Sequence, residues 1–500
     1  MIKATALMIL SVLLLAIPCR AAEWAPIVDP KGQIFSSVLL ATSPDLSNED
    51  REPTIIGDNR QMIGAAIANP GPNTKVVVTV ECPDFLESST LEATLPAAGQ
   101  EYWVFPVLRV KVDALQAMRQ QRPVSLVFRL SISGQTSEKT APATLRSVND
   151  CPFLVVENGE DGKSSADPHY ELFAAYVNED HPYIEKILRE ALDTGIVQQF
   201  YGYQGGTPDS VLRQVFAVWN VMQRKGLQYS NITTVPTPVD GVASQHVRLL
   251  DDAIDNAQAN CVDGSVLFAS ILRKIGVEPV LVIVPGHCFV AFYTDAERRQ
   301  LLGLETTMMG QLNLKPAAIA AGAAGSASGK QDKAQEVASR LLDAVIREIA
   351  KSKGVDLKNS KEAKAVSGVL QVLAEAFGDD DSQDADGESG AGSPQPNHGQ
   401  AAAPVGAGRS ADFDQATAQS FQTFINAVQV GCQRLARDAA AFDDPEILDH
   451  ELVSISEARA EGIMPIGYTK KADNASTTPA TTVPNTPKAV GAKKKSKLSK

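Results

Sequence analysis

The stretch that most restricts how this chain can fold runs from Asn260 to Met309. Its first part is apolar nearly all round: Val262, Val266, Leu267, Ala269, Ile271, Leu272 and Ile275 leave little polar face. A helix of that kind belongs inside a domain and not on its surface. Gly276 offers a left-handed stop. Val280 to Val284 is short, apolar and β-branched, which reads as a buried strand. Pro285-Gly286 reads as a turn. His287 begins a second strand that continues to Tyr293, and a third apolar run ends at Glu305. A buried helix followed by three strands needs the rest of its domain to close around it.

Each of these elements carries one reactive group. Cys261 stands at the helix start, where unpaired backbone N–H groups and the helix dipole favour negative charge. A thiol there ionises more readily, the more so beside an imidazolium. His287, on the neighbouring strand, supplies that imidazole. Glu305 can accept the other ring N–H and set the tautomer. Nucleophile, base and orienter are the parts of an acyl-transfer site. Cys288 follows His287 on the same strand, so its side chain should take the opposite face and be structural. The same alternation speaks against a zinc site, and the chain has no C-x-x-C pair. No D-x-D-x-D-G calcium loop occurs either, so neither a metal nor a cofactor is expected. Asp263, just inside the helix, favours the helix N-terminus while reducing the stabilisation of a thiolate at Cys261.

The runs N-C-V-D-G-S-V-L-F-A-S-I-L-R-K-I-G around Cys261, V-P-G-H-C-F-V around His287 and L-E-T-T around Glu305 resemble the transglutaminase-like superfamily. Its members share a papain-like Cys-His-Asp/Glu core, and the best parallel is a subgroup of exported bacterial proteins. The resemblance extends more weakly through Val215-Phe216-Ala217-Val218-Trp219 and Gly226-Leu227-Gln228-Tyr229-Ser230. The third member of the core is usually aspartate, and Glu305 departs from that. In the resembling proteins a Ser-Phe-containing helix follows the acidic residue, and then an A-R-x-x-G-I-x-P segment. Ser420-Phe421 and Ala458 to Pro465 match these. The resemblance implies an α+β chain and thiol-dependent acyl transfer on peptide or glutamine amide bonds, with Cys261, His287 and Glu305 as the catalytic residues. Water as acceptor gives a protease or deamidase, an amine gives a transamidase, and the same fold also serves as a non-catalytic binding module. In papain-like sites an upstream polar side chain helps hold the oxyanion. Gln245 is the candidate here, against its reading as an ordinary loop glutamine. His246 reads as a surface or capping residue.

The opening MIKATALMILSVLLLAIPCRAAEW has one lysine before an apolar run from Ala6 to Ile17 and small residues at Ala21-Ala22. It reads as a cleavable secretory signal, too short to span a membrane comfortably. Lipidation at Cys19 is a minor alternative, since Pro18 stands where a small residue belongs. The mature chain is then periplasmic or secreted. Cys82, Cys151, Cys261, Cys288 and Cys432 remain, an odd number that leaves at least one thiol unpaired. Cys82 and Cys151 read equally as a bridge or as two buried thiols. A net charge of −13 argues against a general nucleic-acid binder; a protein or peptide substrate is the expected partner.

Length allows several domains. Residues 1–22 are the signal. Residues 23–152 read as a β-sandwich of immunoglobulin-like type, from strand-like runs at Val76 to Val80 and Val124 to Leu130 and from turns at Asn69 to Pro72 and at Gly134. This part either supports the core or docks a partner. Asn158 to Asp167 is polar and Gly-containing, hence a linker. The transglutaminase-like domain takes 168–310 plus 412–468. Within it, one helix starts at Pro182 and stops before Gly195; another has Thr207 as N-cap, Trp219 in the core and Gly226 at its end. Residues 311–411 read as a low-complexity insertion around a helical hairpin, with stripes at Val337 to Ile349 and Val366 to Phe377. It suits a lid, a partner hook or a tolerated insertion. Order resumes near Asp412, with Phe421, Phe424, Ile425, Val428 and Leu435 on a helix. Residues 469–500 form a disordered basic tail ending GAKKKSKLSK, either a solubilising end or a contact with an anionic cell surface.

Overall fold

A computed structural model describes residues 23–44, 46, 52–158, 164–230, 241–310 and 409–467. The expected signal, helical hairpin and basic tail lie outside the described residues. The fold is mixed α+β with several separate sheets.

The N-terminal part holds β1 (Trp24–Val28), β2 (Gln33–Phe35), α1 (Ser36–Ala41), β3 (Ile55–Gly57), β4 (Ile63–Ala68), β5 (Thr74–Cys82), β6 (Leu86–Leu95), β7 (Glu101–Phe105), β8 (Arg109–Val110), α2 (Val112–Gln116), β9 (Arg122–Ile132) and β10 (Gln135–Arg146). One sheet has the order β1-β4-β7-β3 and the other β2-β10-β9-β5-β6-β8. Alternation decides which side chains turn inward. Val76, Val78 and Val80 of β5 and Leu126, Phe128 and Leu130 of β9 share one core with Ile63, Ala65 and Ile67 of β4 and Val104 of β7. Cys82 and Cys151 are separate buried thiols, with no bridge between them.

The next strands depart from the sequence reading. β11 (Asp150–Asn158) runs through residue 152, where a boundary was expected, and pairs with β12 (Ser164–Pro168). The expected linker therefore contributes a strand, with Val155 opposite Asp167 and Val156 opposite Ala166. Ser, Ala and Asp are weak strand formers, but ladder pairing to an apolar neighbour outweighs local preference.

β14 (Val242–His246) covers the other edge of β11. Between them come α3 (Pro182–Asp193), α4 (Pro208–Arg224) and β13 (Gln228–Tyr229); α5 (Leu250–Asp255) and β15 (Gln258–Ala259) then lead into α6 (Cys261–Lys274). Gly276 takes φ +78° just past the end of α6, the conformation its missing Cβ allows. A hairpin of β16 (Pro279–Val284) and β17 (His287–Tyr293) follows, then β18 (Leu301–Leu304). Beyond residue 408 come α7 (Arg409–Phe442), β19 (Glu451–Ser454) and α8 (Ile455–Ala460).

The sheet β18-β17-β16-β19 is the platform of the site. Leu281, Ile283, Cys288, Val290 and Phe292 share a core with α6 and with Trp219, Phe268 and Phe424. On the opposite face Val280, Val282, Phe289 and Ala291 pack with Leu435 and Phe442 of α7. Burial on both faces is why β16 reads as an unbroken apolar run. Trp219 donates its ring N–H to Thr423 Oγ1 at 3.1 Å, tying α4 to α7 inside the core.

α7 crosses β18 backbone against backbone at Gly431 and Gly303. A Cβ on either residue would run into the main chain of the other. Gly431→Ala should therefore destabilise the protein by about 1–3 kcal/mol through overpacking. Helix propensity alone would stabilise it by roughly 1 kcal/mol, so the sign is diagnostic. Urea unfolding with an unchanged or raised midpoint would contradict the close approach. Among the described residues no helix is long and apolar enough to cross a membrane.

Candidate active site

The site is built from the N-terminus of α6 outward. Asn260 caps the helix, its Oδ1 accepting the Asp263 N–H at 2.8 Å, while Asp263 Oδ2 accepts the Asn260 N–H at 2.9 Å. Asp263 is fully buried, and Arg248 answers its charge: the Arg248 backbone N–H reaches Oδ1 at 2.7 Å and Nη1 reaches Oδ2 at 2.6 Å. The carboxylate is thus occupied by Arg248 and the cap, which offsets its repulsion of negative charge at the neighbouring Cys261. Cys261 is the first helical residue and is partly exposed.

His287 is the first residue of β17, opposite Val284 across the hairpin. Its Nε2 lies 2.8 Å from Glu305 Oε2. The same ring lies near enough to Cys261 for the sulfur to raise its pKa, and with Nε2 engaged by Glu305 the nitrogen left for sulfur is Nδ1. Burial opposes charging the ring, but the hydrogen bonds to Cys261 and Glu305 and their negative charge prevail and raise the His287 pKa to about 9. Burial likewise works against ionising Glu305. There the hydrogen bond and charge of His287, the Thr307 hydrogen bond and the Arg434 charge win, holding the carboxyl below its ordinary range. At neutral pH the arrangement is an imidazolium between sulfur and a carboxylate.

Glutamate reaches where the resembling core usually has aspartate, because its longer side chain is anchored at both oxygens. Oε1 accepts the Thr307 hydroxyl at 2.7 Å and the Thr307 N–H at 3.2 Å. Oε2 takes His287 Nε2 and pairs with Arg434 Nε at 3.3 Å. The Glu305 backbone N–H donates to Ala427 O of α7 at 3.0 Å.

Gln245 lies on β14, buried and opposite Cys151 in register. It is a strand residue, not a loop glutamine. Its Nε2 donates to His246 O at 2.9 Å, and the Asn260 side chain approaches the same carbonyl at 3.4 Å. The structure thus brings Cys261, His287 and Glu305 to one place, whereas Gln245 is not in contact with them: its amide is spent on the His246 carbonyl, which Asn260 shares. His246 is half exposed and pairs with Asp150 at 3.6 Å. Cys288 is buried on the far face of β17, and burial pushes its thiol well up.

Sequence reasoning missed four contributors. Thr307, Arg248 and Arg434 hold the carboxylates at Glu305 and Asp263. Tyr229 stands opposite Ala259 in the parallel pair of β13 and β15, two residues before Cys261, and is 39% exposed. Its phenol is raised by partial burial and, to a smaller extent, by the charges of Cys261 and Glu305. The run Gly226 to Ser230 was the available signal for Tyr229, but its pairing with β15 depends on a partner some thirty residues on. Arg434 had none, because its role depends on a distant helix returning to β18. Among the described residues no cluster of His, Cys, Asp and Glu is arranged to hold a metal ion.

No protein-family model matches this chain, and no curated protein matches it in sequence.

Proposed function

We propose that the chain is an exported cysteine acyl-transfer enzyme with a transglutaminase-like core, acting on peptide or glutamine amide bonds. One observation carries the reading: a single imidazole sits 2.8 Å from a buried carboxylate and within the electrostatic reach of Cys261 at the start of α6. The attacking form is the Cys261 thiolate beside a protonated His287. Sulfur attacks the amide carbonyl carbon, and the C=O electron pair moves to oxygen. That oxyanion is held by backbone N–H groups at the start of α6. Collapse re-forms the carbonyl and breaks the C–N bond as His287 passes its proton to the leaving amine. The thioester is then taken by water or by an amine, with His287 now removing the proton and Cys261 leaving as thiolate. Glu305 keeps the ring oriented throughout. The N-terminal pair of sheets, read as an immunoglobulin-like accessory domain, and the basic tail, read as a contact with an anionic surface, would place the enzyme near its substrate.

The test is the rate of Cys261 alkylation by iodoacetamide against pH, with modified sites mapped by mass spectrometry. A reactive site keeps rapid modification well below neutral pH. A search for an acyl adduct in extract-exposed protein, present in the wild type and missing in Cys261→Ser, completes it. Alkylation no faster than in an unfolded control peptide would end the enzyme reading and leave that of a binding module.

A further inference from the structure

The face of α7 that meets the end of β18 carries Ala427, Gly431 and Arg434, spaced i, i+4 and i+7 along one side of a helix. Each does something different to Glu305 or its neighbour. Ala427 O takes the Glu305 backbone N–H, Gly431 lets the main chains touch at Gly303, and Arg434 Nε reaches Oε2. This oxygen is also the one that receives His287 Nε2. Resting on the acyl-transfer reading, we infer that Arg434 is a positioning residue: paired with Oε2, it keeps Glu305 charged and aimed at the His287 ring.

The chemistry favours this over a chance surface pair. Glu305 is almost wholly buried, whereas Arg434 is a third exposed. A buried carboxylate with only neutral donors and one titrating partner loses its charge when that partner deprotonates or when pH falls. Arg434 is the permanent cation among the groups that face Glu305. The others are His287 and Cys288 of β17, Cys261 of α6, Tyr229 of β13 and the neutral Thr307. A glutamate has one more rotatable bond than an aspartate and needs the additional anchor. Arg434 touches neither sulfur nor the reacting carbonyl, so its effect passes through Glu305 and the ring.

The pH profile of Cys261 alkylation tests this in the full chain, because it needs no knowledge of the substrate. Arg434→Gln and Arg434→Met remove the charge; Arg434→Met also keeps most of the apolar stem. In both, the acid limb of the profile should move to higher pH. The rate at about pH 5 should fall on the order of threefold to tenfold, since each unit of displacement is tenfold. The alkaline limb, set by His287, should stay at or above its wild-type place. Arg434→Lys should restore the acid limb. A wild-type limb in both neutral variants would overturn the inference. So would a uniform loss of rate with the limbs unmoved, or a lysine variant as displaced as the neutral ones, because these describe a structural arginine. The two readings fail separately. A wild type with no fast phase below neutral pH defeats the enzyme reading. A wild type with that phase and unshifted variants defeats only the role of Arg434.

Discussion

Replacing His287 by alanine is expected to slow Cys261 alkylation at about pH 6 by on the order of 10²-fold, as the thiol returns to ordinary cysteine behaviour. The fast phase below neutral pH should vanish while the rate above about pH 9 changes little. An alanine variant with the wild-type profile would mean that the ring does not act on sulfur. The same pair of residues sets the pH range of the site. His287 rises in the folded protein from an ordinary 6.5 to about 9. Its contribution to stability is fully present below 6.5 and is lost as pH rises through about 9. Glu305 is lowered, so its contribution is present above its ordinary value of 4.5 and is lost as pH falls through its folded value. In the wild type, unfolding midpoints should therefore be highest between these limits. In His287→Ala the decline toward alkaline pH should flatten.

The second large effect is thermodynamic. Asp263→Ala removes the fully buried acceptor of the Arg248 side chain, the Arg248 backbone N–H and the Asn260 N–H. Arg248 is left largely buried with its charge uncompensated, and one half of the helix cap is lost. A buried pair broken from one side costs about 3–5 kcal/mol, a large share of the roughly 5–15 kcal/mol that holds an ordinary domain. Urea unfolding is the measurement, and a loss under about 1 kcal/mol would show that the network is dispensable. Cys261 reactivity should fall with it, because the first turn of α6 holds the sulfur against His287.

Local patterns carried much of this architecture. The apolar periodicity of α6, the β-branched run of β16, and the turn at Pro285-Gly286 all describe neighbours in sequence, and the structure has them where the pattern puts them. Cys261, His287 and Glu305 were legible because each sits at the end of one of these regular elements. What was hidden depends on partners far along the chain. Ser164–Pro168 becomes β12 only because β11 is there to pair with it. Glu451–Ser454 joins the platform as the antiparallel neighbour of β16. Arg248 and Arg434 carry no local signal; only the folded chain sets one against Asp263 and the other against Glu305. Gln245 was found by analogy with an upstream amide, and its strand setting came from pairing with Cys151, which no local signal announces.

The sheet order β18-β17-β16-β19 also has a temporal side. Nucleophile, imidazole and carboxylate are all translated by residue 305, whereas the helix that clamps the carboxylate starts at Arg409 and the strand that closes the sheet ends at Ser454. A nascent chain emerges N-terminus first, so between residues 305 and 409 it holds these three side chains without the helix that pairs with Glu305. Assembly order thus leaves Cys261, His287 and Glu305 without their clamp and closing strand until Ser454 has been added.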